Sequence, residues 1–249
     1  MTKWIDARVI EVKKWKYPLF SLILHAKISP FIAGQFAKIV IFKNEKKIQR
    51  AYSYVNSPKD KNLEFYIACI KNGKITNALY KLMPGNNIVI SKKSFGFFTL
   101  KEVPQTENLW MISTGTAIGP YLSMLQDGGK EIKKFKKIIL IHAVRYINQL
   151  NYLNVINKIK LQYGSKFIFQ KIVSREKNKE CLFGRIPKLL LNNEIEKKIH
   201  VKINSNNTHI MLCGNPSMLK NTYKVLKEKY DLQKNLRRRK GHITMENYW

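Results

Sequence analysis

The stretch LWMISTGTAIGP, residues 109–120, joins an apolar run to a glycine-containing turn and then to the start of a helical pattern. An apolar run of strand length that leads into a helix is typical of a parallel sheet covered on both faces. Glycines in such a turn let the backbone approach a phosphate, and the helix N-terminus supplies free N–H groups. The turn lacks both the GxGxxG and the GK[ST] pattern, so an ordinary strand-to-helix turn stays an alternative.

Beyond residue 104, apolar runs alternate with helical segments, which predicts a doubly wound α/β sheet. The predicted strands are 109–113, 137–144, 166–173 and 209–213, and the predicted helices start near 117, 150, 187 and 216. Ligands of such sheets bind beyond the carboxyl ends of the strands. We therefore expect functional groups in the segments 114–120, 145, 174–175 and 214–216.

The residues before 104 form short runs of β-forming residues, separated by turn signals such as Ser29-Pro30 and Pro84-Gly85. The predicted strands are 8–12, 20–26, 34–42, 50–55, 64–70 and 87–91. A short helix is predicted over 76–82, with Thr76 as its N-cap. Six short strands at this spacing indicate an antiparallel barrel or sandwich. The sequence thus predicts two domains, residues 1–101 and 102–249.

The composition restricts the class of protein. The chain has 249 residues, 46 Lys+Arg against 16 Asp+Glu, a formal net charge of +30 and 45% hydrophobic residues. That hydrophobic content argues against disorder, and no apolar run reaches the roughly 18–20 residues of a membrane helix. We expect a cytoplasmic protein, since no secretory stretch and no paired cysteine framework is present. The charge indicates an acidic partner or polyanion, or only a coding bias toward Lys and Asn.

Two groups of residues follow predicted strands in the second half. Ser174 and Arg175 end one strand and Arg185 lies ten residues further on. Guanidinium groups there suit a terminal phosphate, and a 2′-phosphate would favour NADP over NAD, although solvated surface arginines are the alternative. The segment CGNP, residues 213–216, closes the next strand, with Asn-Pro as helix cap and first residue. Cys213 lies either at the functional edge or in the core.

Two other segments combine aromatic and polar residues. The segment RAYS, residues 50–53, offers a cation, a ring and a hydroxyl that could bind a cofactor ring and a phosphate, or it is an ordinary strand. The terminal MENYW, residues 245–249, ends in two aromatics that would dock on a flat cofactor or on the protein itself. The five histidines show no metal-ligand spacing, so we expect no metal site.

Taken in order, these motifs resemble ferredoxin–NADP reductases of the bacterial form that also serves flavodoxin. The resemblance covers nearly the whole chain and rests on RAYSYVNSPKDKNLEFY, KSFGFF, LWMISTGTAIGPYLSML, SRE, GRIP, MLCGNPSM, LRRRKGH and ENYW. It implies an N-terminal FAD-binding antiparallel β-barrel and a C-terminal NADP-binding α/β domain whose tail returns to FAD. It also implies hydride transfer from NADPH to FAD, followed by single-electron transfer to ferredoxin or flavodoxin.

The resemblance further implies a set of site residues. The FAD contacts are Arg50, Ala51, Tyr52, Ser53, Tyr66, Lys74, Ile75, Thr76, Thr116, Tyr248 and Trp249. The NADP contacts are Val144, Arg145, Ser174, Arg175, Arg185, Gly214, Asn215 and Pro216. The residues implied for the catalytic step are Ser53, Cys213 and Glu246. Residues 74–76 read Lys-Ile-Thr where the family pattern is Lys-Leu-Ser, which keeps the hydroxyl.

The resemblance implies a small acidic carrier as the partner, and we expect a monomer that binds neither nucleic acid nor membrane. The run RRRK, residues 237–240, either steers the carrier or is solvated surface. A nucleic-acid-binding protein is the alternative from another class, suggested by the charge but without a recognisable binding motif. Within the enzymes, the alternative is a flavin reductase of the same superfamily that passes electrons to free flavin or oxygen.

Overall fold

The computed structural model describes residues 2–43 and 46–248 of the chain. They form two units. The first unit comprises the chain up to Thr99 together with Gly119–Asp127, and the second comprises Leu100–Ile118 and the chain from Gly128 onward.

Each unit contains one six-stranded sheet. The strands are β1 (Trp4–Lys14), β2 (Leu19–His25), β3 (Phe36–Lys43), β4 (Lys46–Ser53), β5 (Leu63–Ala68), β6 (Asn87–Ser91), β7 (Asn108–Thr114), β8 (Lys137–Val144), β9 (Phe167–Val173), β10 (Leu182–Phe183), β11 (Thr208–Gly214) and β12 (Ile243–Asn247). The helices are α1 (Lys74–Tyr80), α2 (Gly119–Asp127), α3 (Lys130–Lys133), α4 (Leu153–Tyr163), α5 (Ile186–Leu191), α6 (Glu194–Ile199) and α7 (Pro216–Tyr230).

The first sheet has the strand order β4-β3-β6-β1-β2-β5, and its strand pairs are antiparallel. Just beyond the end of the outer strand β4, the chain meets the other outer strand, β5: Tyr54 forms a bridge with Phe65, and Val55 N donates to Glu64 O at 2.9 Å. The sheet therefore curls into a barrel, as predicted. Every second residue of β2 points inward, so that Phe20, Leu22 and Leu24 are fully buried.

The short helix α1 lies at one end of the barrel and packs against β2, β3 and β4. It begins at Lys74, and Gly73 is its N-cap without a side-chain cap. The prediction that Thr76 caps this helix is wrong. Thr76 lies within the first turn, and its Oγ1 accepts a hydrogen bond from Ile70 N at 3.1 Å, which ties the helix to the preceding strand end.

Helix α2 belongs to the first unit although it follows β7 in the chain. Its Ser123 Oγ donates to Asn56 O at 2.7 Å, and its Gln126 Nε2 donates to Val55 O at 2.8 Å. These two bonds satisfy backbone carbonyls of the segment that follows β4. A buried carbonyl without a partner would be costly, so α2 completes the hydrogen bonding of the barrel.

The second sheet has the order β10-β9-β8-β7-β11-β12, and all its pairs are parallel. Its central strands β8 and β11 are mostly apolar and buried along nearly their whole length, as both faces of a covered parallel sheet require. Helices α5 and α7 pack against each other and contribute Leu189, Leu219 and Leu226 to the core on one face. The prediction of a doubly wound α/β sheet is confirmed.

The bounds of β8 and the first residue of α7 coincide with the predicted ones, whereas β10, β12, α3 and α6 were not predicted. The helix predicted from residue 117 begins as a 3₁₀ turn over Gly115–Ile118 and becomes α-helical at Gly119. No helix among the described residues is both long and apolar enough to cross a membrane.

Candidate active site

The strand order of the second unit defines the place where a ligand would bind. The chain moves outward from β7 to β8, β9 and β10, and then returns to β11 on the other side of β7. The carboxyl ends of β7 and β11 therefore form the topological switch point, where ligands of open parallel sheets bind. Thr114 and Gly214 are the last residues of these two strands.

The turn after β7 opens at Gly115, whose φ of +57° lies in the left-handed region that favours glycine. A Cβ at Gly115 would have no heavy atom within 4 Å, so the space beside this backbone is open. The Gly115 carbonyl accepts a hydrogen bond from His142 Nε2 at 2.9 Å. Burial lowers the pKa of His142 to about 4, so the ring is neutral at pH 7, and its Nε2 carries the proton because a carbonyl only accepts. The predicted FAD contact Thr116 is buried in this turn.

The end of β11 lies very close to the end of β7. Gly214 has a φ of +149°, and a Cβ there would come within 2.2 Å of Thr114 Oγ1 and 2.9 Å of Met218 Cε. The Thr114 hydroxyl also accepts a hydrogen bond from Asn215 N at 3.2 Å. Only glycine fits this position, and the Thr114 hydroxyl fixes the two strand ends against each other.

Cys213 is paired in the sheet with Ser113 of β7 on one side and with Glu246 of β12 on the other. Its thiol is fully buried, and burial, followed by the nearby Glu246 carboxyl, raises its pKa well above the ordinary value. The thiol is therefore neutral and suits packing against a ligand rather than nucleophilic attack. Burial also raises the pKa of Glu246 to about 7, so this carboxyl binds a proton in the neutral range.

The segment that joins β11 to α7 has the predicted helix-cap arrangement. Asn215 Oδ1 accepts hydrogen bonds from Ser217 N at 2.9 Å and Met218 N at 3.4 Å, and Pro216 is the first helical residue. The predicted Asn-Pro cap is confirmed. The Asn215 side chain is thus engaged by its own helix, although Asn215 lies at the edge where the sequence predicts an NADP contact.

Three predicted phosphate-binding arginines follow the ends of three neighbouring strands. Arg145 comes directly after β8, Arg175 two residues after β9 and Arg185 two residues after β10. All three side chains are exposed, and none forms an ion pair with a described residue. Ser174 directly follows β9 and extends its pairing with β8, since its N and Oγ both donate to Val144 O, at 3.1 and 3.3 Å. Exposed, unpaired guanidinium groups in one row can bind a phosphate.

The RAYS segment lies at the end of β4 in the barrel, with Arg50 exposed and Ser53 buried. Arg50 Nη1 donates to Gln49 O at 2.8 Å, a contact within its own strand that leaves other guanidinium N–H groups facing outward. Burial raises the pKa of the Tyr52 phenol, which Arg50 partly opposes, so the ring is neutral. Ala51 is exposed between them.

The other predicted FAD contacts of the barrel lie on β5 and α1. Tyr66 is buried on β5, and Lys74 is exposed at the first position of α1. Ile75 is 5% exposed and its side chain belongs to the barrel core, so only its backbone can face a ligand. The Thr76 side chain is also buried and bonded to Ile70 N, as described above. Helix α1 packs against β4, and β4 contacts β5, so the elements that carry these residues are neighbours in the barrel.

The end of the chain continues the second sheet. Tyr248 N donates to Gly214 O at 3.1 Å, so this residue follows β12 alongside the switch point. Trp249, which the sequence predicts over FAD, lies outside the described residues. No cluster of three metal-ligating side chains occurs among residues 2–43 and 46–248.

Comparison with known proteins identifies the family. A sequence family described as an oxidoreductase FAD-binding domain matches residues 13–97, and one described as an oxidoreductase NAD-binding domain matches residues 111–224. A flavodoxin/ferredoxin–NADP reductase of Buchnera aphidicola subsp. Schizaphis graminum is 56% identical over 258 aligned residues, with both chains covered completely. The chain belongs to the flavodoxin/ferredoxin–NADP reductase family. The reductase of Escherichia coli K12, with the same family name, is 45% identical over 249 residues, again with full coverage of both chains.

A solved structure of the same family has the same fold. The ferredoxin NADP⁺ reductase from Neisseria gonorrhoeae with bound FAD and NADP superposes with a TM-score of 0.91 at 30% sequence identity, and each chain is covered completely. The two matched sequence families follow the same order along the chain as the barrel and the parallel sheet.

Four residues at the carboxyl edge of this reductase-family sheet make contacts that were not predicted, although Thr114 lies in the segment 114–120 where functional groups were expected. They are Thr114 and His142, which support the switch point, and Gln149 and Glu176, which bond to backbone N–H groups near Arg145. His142 could have been found from the sequence, because a polar residue in an otherwise apolar buried strand needs a hydrogen-bond partner. The bonds of Thr114 and Glu176 join segments far apart in the chain, so no local pattern indicates them, whereas those of Gln149 reach only the nearby Arg145 N and Tyr146 N.

Proposed function

We propose that this protein is an FAD-dependent reductase that oxidises NADPH and passes electrons singly to ferredoxin or flavodoxin. The observation that carries the proposal is the carboxyl edge of the parallel sheet. The open Gly115 turn follows β7, and the buried Cys213 thiol lies near the end of the neighbouring β11. A row of three exposed arginines follows β8, β9 and β10. Membership in the reductase family is consistent with this chemistry.

Bound FAD supplies the redox chemistry, because a flavin accepts two electrons together and releases them one at a time. In this proposal the barrel residues at the ends of β4 and β5 and in α1 hold the cofactor. Arg50 offers its guanidinium to the pyrophosphate, while the neutral ring of Tyr52 packs on the isoalloxazine. The further FAD contacts in this proposal are Ala51, Ser53, Tyr66, Lys74, Ile75, Thr76, Thr116, Tyr248 and Trp249.

NADPH binds in this proposal at the carboxyl edge of the second sheet. The exposed guanidinium groups of Arg145, Arg175 and Arg185 bind the 2′-phosphate, with Ser174 between them. A 2′-phosphate carries the charge that distinguishes NADP from NAD, so these residues give the preference for NADP. Val144, Gly214, Asn215 and Pro216 complete the cofactor contacts at the same edge.

Cys213 and Glu246 act beside the nicotinamide in this proposal. The Cys213 thiol, kept neutral by burial, packs against the ring without adding a charge that would compete with hydride transfer. Glu246 can hold a proton near pH 7 at its carboxyl. Ser53 is the third proposed catalytic residue, and its hydroxyl serves as a hydrogen-bonding group for the flavin.

The proposal also covers the domains, the oligomeric state, the location and the partners of the protein. We infer two functional domains, residues 1–101 for FAD and 102–249 for NADP, of which the second stretch contributes α2 to the first structural unit. We also infer a monomeric cytoplasmic enzyme whose partners are small acidic carriers. The excess of 46 Lys+Arg over 16 Asp+Glu favours encounter with such carriers.

The test is the visible spectrum of the purified protein, recorded without oxygen before and after NADPH is added. We expect flavin bands near roughly 380 and 450 nm that bleach with NADPH and much more slowly with NADH. Oxidised ferredoxin, flavodoxin or free riboflavin is then added in separate cuvettes, and the rate of acceptor reduction is measured. Riboflavin as the fastest acceptor would favour a flavin reductase. A protein that stays colourless with added FAD would refute the proposal.

A further inference from the structure

The loops that carry Arg145 and Arg175 are joined by side chains to which the proposed function gives no role. Glu176 is the third residue of the SRE motif and is half-buried. One of its carboxylate oxygens accepts a hydrogen bond from Ile147 N, in the loop after β8. This bond links the two loops at a point just beyond both arginines.

A second set of bonds fixes the backbone on either side of the arginines. Arg175 N donates to Arg145 O at 3.0 Å, which extends the β8–β9 pairing into the loops. Gln149 Oε1 accepts hydrogen bonds from Arg145 N at 3.1 Å and from Tyr146 N at 3.2 Å. The amide of each arginine is therefore already bonded, and the two backbones are held side by side.

Beneath these loops lies a small apolar cluster. Val144, Leu150 and Val173 are buried in it, and Ile147 and Cys181 pack against it. The loops are thus fixed by apolar contacts on one side and by the Glu176 and Gln149 bonds on the other. The Arg145 and Arg175 side chains are exposed. A site whose backbone is fixed in advance loses less conformational entropy when its ligand binds.

We propose that Glu176 and Gln149 are positioning residues for a 2′-phosphate subsite formed by Arg145 and Arg175, an inference that rests on the proposed function. Their oxygens hold the loop backbones so that both guanidinium groups reach one phosphate. Glu176 has two properties that act in opposite directions: its oxygen accepts the bond from Ile147 N, and its negative charge repels a phosphate. Substitutions can separate the two. Loss of the accepting oxygen weakens binding, whereas loss of the charge alone does not.

The experiment uses the FAD-loaded protein and measures binding of 2′,5′-ADP and of 5′-AMP by calorimetry. Glu176→Ala removes the acceptor, and Glu176→Gln keeps an amide oxygen in its place. We expect Glu176→Ala to weaken 2′,5′-ADP binding by about tenfold, the loss typical of one hydrogen bond to a charged group. Binding of 5′-AMP should change by less than about twofold, and Glu176→Gln should bind 2′,5′-ADP at least as tightly as the parent.

Matched variants separate positioning from other effects. Glu180→Gln removes a carboxylate from the same loop that pairs with Lys171 at 2.6 Å, so it should leave both affinities unchanged. Arg175→Ala should abolish the preference for 2′,5′-ADP. Gln149→Ala gives a second test of the inference, whether or not Glu176→Ala folds, and should lower the same preference.

The outcomes distinguish this inference from the proposed function. If the parent protein does not prefer 2′,5′-ADP over 5′-AMP, the proposed NADP site itself is wrong. If the parent shows the preference while Glu176→Ala and Gln149→Ala keep it, only the positioning role is refuted. Equal weakening of both ligands would show a general structural role and would also refute it.

Discussion

Replacing Glu246 by glutamine should stabilise the folded protein at pH 8 and change its stability much less at pH 5. Burial raises the pKa of this carboxyl from 4.5 to about 7. Because the folded pKa lies above the unfolded one, the contribution of Glu246 is most favourable below about pH 4.5. It is lost as the pH rises to about 7, where the buried carboxyl must ionise. Glutamine has a similar shape and remains neutral at every pH.

The difference between the two pKa values sets the size of this effect. A shift from 4.5 to about 7 corresponds to roughly 3 kcal/mol of unfolding free energy between the two limits. Glu246 keeps some solvent exposure, which reduces this value to about 1–2 kcal/mol at pH 8. At pH 5 most of the folded protein carries a protonated Glu246, so the difference should fall well below 1 kcal/mol.

Urea unfolding midpoints at pH 5, 6, 7 and 8, recorded with excess FAD, measure the difference between parent and variant. Burial lowers the pKa of His142 to about 4 and of His209 to about 3, so these groups make stability rise with pH, but they do so in both proteins. Glu228→Gln on α7, whose exposed partner Lys224 lies 3.9 Å away, is the control and should show no such trend. A Glu246→Gln difference that is equal at pH 5 and pH 8 would refute the reasoning.

Three further predictions concern the switch point and the partner. Gly214→Ala should lower the melting temperature and the free energy of unfolding, the latter by roughly 2–4 kcal/mol, because the added Cβ would lie 2.2 Å from Thr114 Oγ1. Gly115→Ala, whose Cβ would have no heavy atom within 4 Å, should lower the free energy of unfolding by only about 1–2 kcal/mol. Equal losses would contradict the steric account. Cys213→Ala should slow flavin bleaching by NADPH more than about tenfold in stopped flow. An unchanged rate would remove Cys213 from the catalytic residues. Carrier reduction should slow steeply as salt rises from about 0.05 to 0.5 M; a flat profile would exclude electrostatic steering.

The architecture of both units could be predicted from the sequence because hydrophobic periodicity and turn residues are local signals. The apolar run of β8 and the Asn-Pro start of α7 gave bounds that agree with the structure. The strand β12, in contrast, has only five residues and is stabilised by parallel pairing with β11. Such pairing connects segments far apart in the chain, so no local pattern predicts it.

For the candidate site, the positions of several residues could be predicted from the sequence, but their contacts could not. The sequence placed Cys213, Arg145 and Arg175 at strand ends, and their common edge followed from the rules for parallel sheets, whereas Arg185 follows β10, a strand of two residues that was not predicted. The contacts of Thr114 and Glu176 depend on which loops meet in three dimensions. The wrong prediction for Thr76 has the same origin, because its hydroxyl accepts a hydrogen bond from Ile70 N before the helix, while Gly73 is the N-cap.

The position of α2 in the chain has a consequence for modular engineering. A fragment that stops at the predicted boundary, residue 101, would omit Ser123 and Gln126 and leave the carbonyls of Asn56 and Val55 without these partners. One cut therefore cannot release the barrel intact. A transplantable flavin module would need α2 appended through a designed linker. Recombination between relatives should likewise succeed more often when α2 and the barrel come from the same parent.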